Sequence, residues 1–195
     1  MKKLLILFSL LTFLIIGCGN SAESGNKTNE KTGNSKKFKI GITQIASHPA
    51  LDNARKGFED AFKEAGVDAD FDEKNANGET ANANLIANNF ASSKVDLIYA
   101  IATSTAQTAV QSTSSIPIVF AAITDPKSAG ILKPNVTGVS DRMDVSEQMK
   151  LLKRLDDKIK SVGVIYNSSE PNSKVQVEDL KKAAAPLGLT VEEKS

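Results

Sequence analysis

The sequence predicts an α/β fold built on a doubly wound parallel sheet. From Phe38 onward, short β-rich runs alternate with stretches whose apolar residues recur every three or four positions, as on one face of a helix. One of these runs, Val95 to Ile101, is almost continuously apolar, which is typical of a central parallel strand covered on both faces. Strands that alternate with helices call for a parallel sheet with right-handed crossovers.

The first part of this body, residues 38–141, is predicted to form one α/β lobe. Phe38 begins the first strand, and Leu51, Phe58 and Phe62 mark the apolar face of the helix that follows, which Gly66 ends. The alternation then continues along the chain. The predicted strands are 38–43, 67–71, 95–101 and 116–121, and the predicted helices are 51–65, 79–92 and 105–111.

After residues 138–141 the pattern restarts, which predicts a second lobe over residues 142–195. Asp144, with Glu147 three residues later, resembles a capping box that opens a helix through residue 155. A strand at 162–166, a helix from Pro171 to about residue 185 and the start of a strand at 189–191 follow. Two strands and two helices leave a sheet edge unpaired and a core thin, so we expect this lobe to be incomplete and the chain to be truncated.

The first 18 residues are predicted to be a lipoprotein signal peptide. Lys2 and Lys3 precede an apolar run that is too short to cross a bilayer comfortably, as in a secretory signal. The run ends in Ile-Ile-Gly-Cys, which resembles the bacterial lipobox, so Cys18 is the predicted lipidation site. A buried helix, or an unmodified cysteine beside an ordinary cleavage site, are the alternatives. Residues 19–37 lack large apolar side chains and are predicted to be a flexible tether.

The composition narrows the classes of function. Without Lys2 and Lys3, 22 basic side chains stand against 23 acidic ones, and a near-neutral body argues against a nucleic-acid partner. The chain has one Cys and one His, so zinc clusters and Cys/His nucleophilic pairs lack their components. Neither a dinucleotide fingerprint nor a phosphate loop is present. We therefore expect no metal, no cofactor and no catalytic residues.

Polar residues that follow the predicted strands are the candidates for a binding site, because parallel sheets place their sites at the carboxyl ends of strands. Thr103 and Ser104 open a helix after the most apolar strand, and hydroxyls at a positive helix end suit a carboxylate or another anion. Asp125, just past the fourth strand, suits an ammonium group. Ordinary capping by Thr103 or Ser104, and a turn at Asp125, are the alternatives.

Two further loops belong to the same predicted rim. Gln44 and His48 follow the first strand, and His48 is either a ligand contact or a capping residue. The corresponding loop of the second lobe contains Asn167, Ser168 and Glu170 at another polar helix start, where capping is again the alternative.

Several segments together resemble the substrate-binding lipoproteins of bacterial ABC importers of the tryptophan/aromatic amino acid receptor type. They occur in order along the chain and are ITQIASHPALD, ATSTAQTA, IPIVFAAITDP, NVTGVSDR and GVIYNSSEPNS. The resemblance implies a bilobed fold of the periplasmic-binding-protein type, held at the membrane outside the cytoplasm through acylated Cys18. It implies that a small ligand, an aromatic or branched amino acid, is captured between the lobes and delivered to a membrane permease. The residues it implies in the cleft are Gln44, Thr103, Ser104, Asp125, Asn167, Ser168 and Glu170.

Two other classes of function stay open at this point. A secreted hydrolase would need a nucleophile and a base, but the sequence has no Gly-x-Ser-x-Gly elbow and offers only His48 as a histidine base. An extracytoplasmic ligand sensor would use the same bilobed fold, and genes for a permease and an ATPase beside this one would favour transport.

Overall fold

A computed structural model of the chain describes residues 37–195; the predictions for the signal peptide, Cys18 and most of the tether lie outside this range. Within it, no helix combines the length and the apolar character needed to cross a bilayer. The strands are β1 (Phe38–Gln44), β2 (Ala69–Asn75), β3 (Leu97–Ile101), β4 (Ile118–Ile123), β5 (Val136–Ser140), β6 (Ser161–Ile165) and β7 (Thr190–Lys194). The helices are α1 (Pro49–Glu64), α2 (Thr80–Ser93), α3 (Thr103–Ser112), α4 (Val145–Leu155) and α5 (Pro171–Ala184), which a 3-10 turn (Ala185–Leu187) extends.

The first five strands form one parallel sheet in the order β2-β1-β3-β4-β5. Side chains of α1 pack on one face of this sheet, and those of α2 and α3 pack on the other. The strand order places β3 in the middle, where four of its five residues are buried. The predicted doubly wound parallel sheet is confirmed.

Close packing on both faces fixes where the helices lie. On one face, the Phe58 ring of α1 stacks on Tyr99 with 4.0 Å between ring centroids. On the other, the Phe90 ring of α2 lies directly over Gly41, and a Cβ atom at Gly41 would lie 2.7 Å from that ring. Glycine is therefore required at this position by the approach of the helix rather than by its backbone angles.

A separate two-stranded parallel sheet, β6-β7, lies in the second half of the chain. Helices α4 and α5 pack against it through Met149, Leu180 and Ala184, and Asp144 caps α4 by accepting a hydrogen bond from the Glu147 N–H at 3.1 Å, as the capping box predicted. Ile165 of β6 is nevertheless 89% exposed. The division of the body into lobes at residue 141 and the truncation stay predictions.

Strand β5 is the main element that the sequence pattern missed. It has five residues, only one of which is even half-buried, so it lacks the apolar run that marks the central strands. Gly138 lets β5 approach β4, since a Cβ atom there would lie 2.2 Å from the Phe120 carbonyl oxygen. Several boundaries also differ from the predicted ones. Strand β2 spans Ala69–Asn75 rather than residues 67–71, β3 and β4 each begin two residues later than predicted, and α1 and α3 each begin two residues earlier.

The two sheets predict different sensitivities to the loss of an isoleucine. Ile98 is fully buried in the first sheet, so Ile98→Ala should lower the free energy of unfolding by about 2–5 kcal/mol. Ile165→Ala removes the same atoms from an exposed site and should change stability by no more than about 0.5 kcal/mol. Urea denaturation followed by circular dichroism measures both values. Similar losses in the two variants would show that Ile165 is buried in solution.

Candidate ligand-binding site

The strand order reverses between β1 and β3, and this reversal creates the rim on which the candidate site is built. The chain leaves β1 toward β2 on one side, whereas β3 continues toward β4 on the other. In open α/β sheets a crevice forms outside the carboxyl ends of the strands at such a point. The loops after β1, β3 and β4 therefore leave the sheet at this edge, where the candidate residues of the sequence lie.

Ala102, between β3 and α3, has a backbone conformation that alanine rarely adopts. Its φ of 87° and ψ of 161° fall in a region that is almost exclusive to glycine. The strand and the helix hold it in place, because its N–H donates to the Ala121 carbonyl at 3.0 Å and its own carbonyl accepts from the Thr105 hydroxyl at 2.8 Å. This abrupt turn starts α3 directly at the rim.

Thr103 and Ser104 lie in the first turn of α3, not at its cap. Ala102 is the N-cap residue, so the interpretation of either hydroxyl residue as an ordinary cap is wrong. Their side chains are 4% and 7% exposed, and the N–H groups of a first helical turn have no partner within the helix. Two sheltered hydroxyls and free N–H groups at the positive end of a helix form a suitable environment for an anion.

Gln44, the last residue of β1, is occupied by contacts with the following loop and with α1. Its Nε2 atom donates to the Ala46 carbonyl and to Asp52 Oδ1, both at 2.7 Å. It lines a separate polar cavity of about 240 Å³. Gln44 therefore ties the β1–α1 loop to α1. His48 is the cap residue of that helix, since its Nδ1 atom accepts from the Ala50 N–H at 3.2 Å.

Asp125 is the most heavily hydrogen-bonded carboxylate of the rim. Oδ1 accepts from the N–H groups of Lys127 and Ser128, each at 3.0 Å, and Oδ2 accepts from the Ser128 hydroxyl at 2.9 Å and from Arg142 Nη1 at 3.2 Å. The bonds from Ser128 above all, with Lys127 and Arg142, hold the pKa of Asp125 below its ordinary value. The predicted turn role is confirmed, and an ammonium group would have to share or replace one of these donors.

The loop between β6 and α5 is closed by its own polar groups. Asn167 Oδ1 accepts hydrogen bonds from the Ser169 N–H at 3.0 Å and from the Ser169 hydroxyl at 2.7 Å. Asn167 Nδ2 donates to Glu170 Oε1 at 3.3 Å. Glu170 is the N-cap residue of α5, but its side chain makes no capping bond. Ser168 is exposed beside them. The loop presents the start of α5 to the rim of the first sheet.

A narrow crevice separates this rim from α5. Its volume is about 40 Å³, and it is lined by Thr103, Asp125, Ser128, Ala129, Pro171, Asn172 and Val175. Of the predicted residues, only Thr103 and Asp125 line it. Asn172 and Val175 were missed, although Asn172 lies in the GVIYNSSEPNS segment that carried the resemblance. Gln44 and the loop at 167–170 are not among the lining residues.

Two contacts cross from the first sheet to α5, and we call the surface where they lie the seam. Arg142, in the segment that joins β5 to α4, contacts Asp125 through Nη1 and Asp179 of α5 through Nη2, the latter at 3.0 Å. Gln176 of α5 donates from Nε2 to the hydroxyl of Thr124 at 3.2 Å. A cavity of about 250 Å³ beside the seam is lined in part by Thr124, Arg142 and Gln176.

Comparison with known proteins places the chain in a family. The family model described as "ABC transporter substrate binding protein" matches residues 39–195. A tyrosine-binding protein of Clostridioides difficile (strain R20291) is 41% identical over 192 residues, which cover 93% of this chain and 56% of that protein. The chain thus spans little more than half the length of this relative.

Solved structures agree with this relationship. The ABC domain of Streptococcus pneumoniae in complex with L-Trp has a TM-score of 0.77 at 38% identity, over 82% of this chain and 57% of that one. The ligand-free, open structure of a substrate-binding protein with adhesive properties from Clostridium difficile has a TM-score of 0.63 at 45% identity, over 80% of this chain and 57% of that one. A leucine-binding protein of Thermotoga maritima shares the fold at 18% identity, with a TM-score of 0.64 over 80% of this chain and 48% of that one.

The strained turn predicts that glycine is preferred at residue 102. Ala102→Gly should raise the free energy of unfolding by about 1 kcal/mol, because relief of backbone strain exceeds the extra chain entropy of glycine. Ala100→Gly is the matched control in β3, where φ is not positive, and it should lower stability by about the same amount. Urea denaturation measures both, and equal losses in the two variants would contradict the strain.

The lowered pKa of Asp125 predicts a pH-dependent contribution to stability. Because the folded pKa lies below the unfolded value, which is about 3.9, the ionised carboxylate stabilises the fold above that value, and this is lost as pH falls through the folded pKa. Asp125→Asn should therefore have a lower free energy of unfolding than the parent at neutral pH, and this gap in free energy should close as the pH falls. Ser128→Ala keeps the carboxylate and should show a smaller gap. Urea denaturation across pH tests this, and a constant gap would refute it.

Proposed function

Since the chain belongs to the ABC transporter substrate-binding protein family, we propose that it captures a small ligand, an amino acid, between the rim of its first sheet and helix α5 and delivers it to a membrane permease. The ligand is an amino acid with an aromatic or branched side chain, and the protein binds it without altering it. The names of the relatives, a tyrosine-binding protein and a complex with L-Trp, support an aromatic ligand.

The observation that carries the proposal is the start of α3. Thr103 and Ser104 place two sheltered hydroxyls beside free backbone N–H groups, at the point of the sheet where ligands bind in this class of fold. A carboxylate accepts hydrogen bonds from such donors and is favoured by the positive helix end. Each lost hydrogen bond to a charged group costs about 1.5–3 kcal/mol.

Asp125 receives the ammonium group of the ligand in this proposal. Its two oxygens already accept four hydrogen bonds, which is about the capacity of a carboxylate. The ammonium group therefore replaces Arg142, the one donor that comes from another segment of the chain. Asn167, Ser168 and Glu170 contribute from the opposite side as α5 moves away to admit the ligand, and Gln44 acts by holding the neighbouring loop.

The location of the protein follows from the same proposal. The protein works outside the cytoplasm, where Cys18 carries the lipid anchor and residues 19–37 form the tether that joins the anchor to the binding body. Several acyl chains, at about 0.8 kcal/mol for each buried methylene, give stable attachment to the bilayer.

Calorimetric titration with each of the twenty amino acids tests the ligand class. We expect heat with aromatic or branched amino acids, and Thr103→Ala and Ser104→Ala should each weaken binding by about tenfold or more. Ser114→Ala removes an exposed hydroxyl at the amino end of β4, on the opposite edge of the sheet, and should leave affinity unchanged. Absence of heat across the set would remove the amino-acid assignment, and full affinity in both rim variants would move the site elsewhere.

A further inference from the structure

A buried hydroxyl lies directly behind the strained turn at Ala102. Thr105, in the first turn of α3, is fully buried, and its Oγ1 atom lies 2.7 Å from the Ile101 carbonyl oxygen and 2.8 Å from the Ala102 carbonyl oxygen. A hydroxyl has a single proton, so the two carbonyls share it in a three-centre hydrogen bond. Thr105 thus contacts both the last residue of β3 and the residue that joins β3 to α3.

These two carbonyls belong to the two peptide planes that meet at the Cα atom of Ala102. Peptide groups are planar, so the φ and ψ of Ala102 describe only how those planes are rotated about that atom. The first plane is also held by its N–H, which donates to the Ala121 carbonyl at 3.0 Å. A donor that binds one carbonyl of each plane therefore fixes the angle between them, at values that alanine rarely adopts.

The second plane carries a donor of the proposed binding site. It joins the Ala102 carbonyl to the Thr103 N–H, and because the peptide bond is trans, the N–H points away from the carbonyl. The hydrogen bond to Thr105 directs the carbonyl toward the buried hydroxyl. The Thr103 N–H is therefore turned away from that hydroxyl, and Thr103 is a residue that lines the crevice.

Thr105 does not contact the crevice itself. It is fully buried and is not among the lining residues, so its effect on binding must act through the turn. A helical threonine often donates to a carbonyl three or four residues earlier, and such a bond alone indicates no function. Thr108 shows this ordinary form, since its hydroxyl donates to the Thr105 carbonyl within α3 at 2.9 Å. The acceptors of Thr105 differ because they lie before the helix, on both sides of the strained Cα atom.

We propose that Thr105 is a positioning residue, which holds the Ala102 turn in its strained conformation and thereby aims the Thr103 N–H at the carboxylate of the bound amino acid. This inference rests on the proposed function, because the carboxylate is that of the ligand proposed above. When the hydroxyl is removed, Ala102 relaxes toward an ordinary conformation. The second peptide plane then rotates, and the Thr103 N–H no longer points at the ligand.

The hold on the turn is measured without any ligand, from the urea midpoint of unfolding. Glycine adopts this conformation without strain, so Ala102→Gly should raise the midpoint of the parent. Thr105→Val keeps the shape of the side chain but removes its donor, so Ala102 relaxes and the added Ala102→Gly should raise the midpoint by roughly half as much or less. Thr108→Val is the matched control, in which Ala102→Gly should give the full rise. A full rise in Thr105→Val would overturn the proposal.

Titration calorimetry with L-Trp and L-Tyr measures the effect on binding. Thr105→Val should weaken binding by about tenfold, the effect of losing one hydrogen bond to a charged group. Thr105→Ser keeps the hydroxyl and loses only a methyl group, so it should retain most of the parent affinity, and Thr108→Val should bind as the parent does. In an Ala102→Gly chain, where the turn needs no support, Thr105→Val should weaken binding by no more than about twofold.

Two outcomes of the titration would count against the proposal. An equal loss of affinity in Thr105→Ser and Thr105→Val would assign the effect to packing of the methyl group. An equal loss with and without Ala102→Gly would show that the strained turn is not the intermediary. If the urea midpoints respond as expected but no variant binds L-Trp or L-Tyr, the proposed ligand is wrong and the role of Thr105 in holding the turn stands.

Discussion

Burial of β3 between two helical layers is the constraint on which the rest of this structure depends. Its residues pack against α1 through Tyr99 and Ile101 and against α2 and α3 through Ile98 and Ala100. A strand covered on both faces has no freedom to shift in register, because a shift by one residue exchanges its two faces. The chain must then turn at once into α3, and Ala102 is held in an unfavourable conformation where the two elements meet. The position of Thr103 and Ser104 follows from that turn.

The position of α5 against the first sheet depends on the polar contacts of the seam. The two sheets have separate cores, and polar contacts made by Arg142 and Gln176 join the rim of the first to a helix of the second. Such a connection differs from a packed core, in which small displacements are costly. The same carboxylate, Asp125, orders the turn after β4 and accepts from Arg142 at the seam, so the turn and the contact to α5 share one group.

Much of the fold was predictable because it follows from local periodicity. The central strands and all five α-helices were predicted, whereas β5 was missed because a short edge strand carries little apolar signal. The site was predicted less completely. Thr103 and Asp125 do lie in one crevice, but Gln44 bonds to Ala46 and to Asp52 of α1. Asn172 lies in one of the segments that carried the resemblance but was not singled out, and Val175 gave no sign of its position. The roles of Asn167, Ser168 and Glu170 in binding stay predictions.

The sequence by itself determined the order of strands and helices, the two-faced burial of the sheet and the loops from which a site is built, because these depend on neighbours a few residues apart. Only the tertiary structure decided which polar groups are paired. Arg142 lies 17 residues from Asp125 and 37 from Asp179, and Gln176 lies 52 from Thr124. No periodicity links positions so far apart, since their contact exists only after both sheets have packed and the connecting segment has brought α5 against the rim.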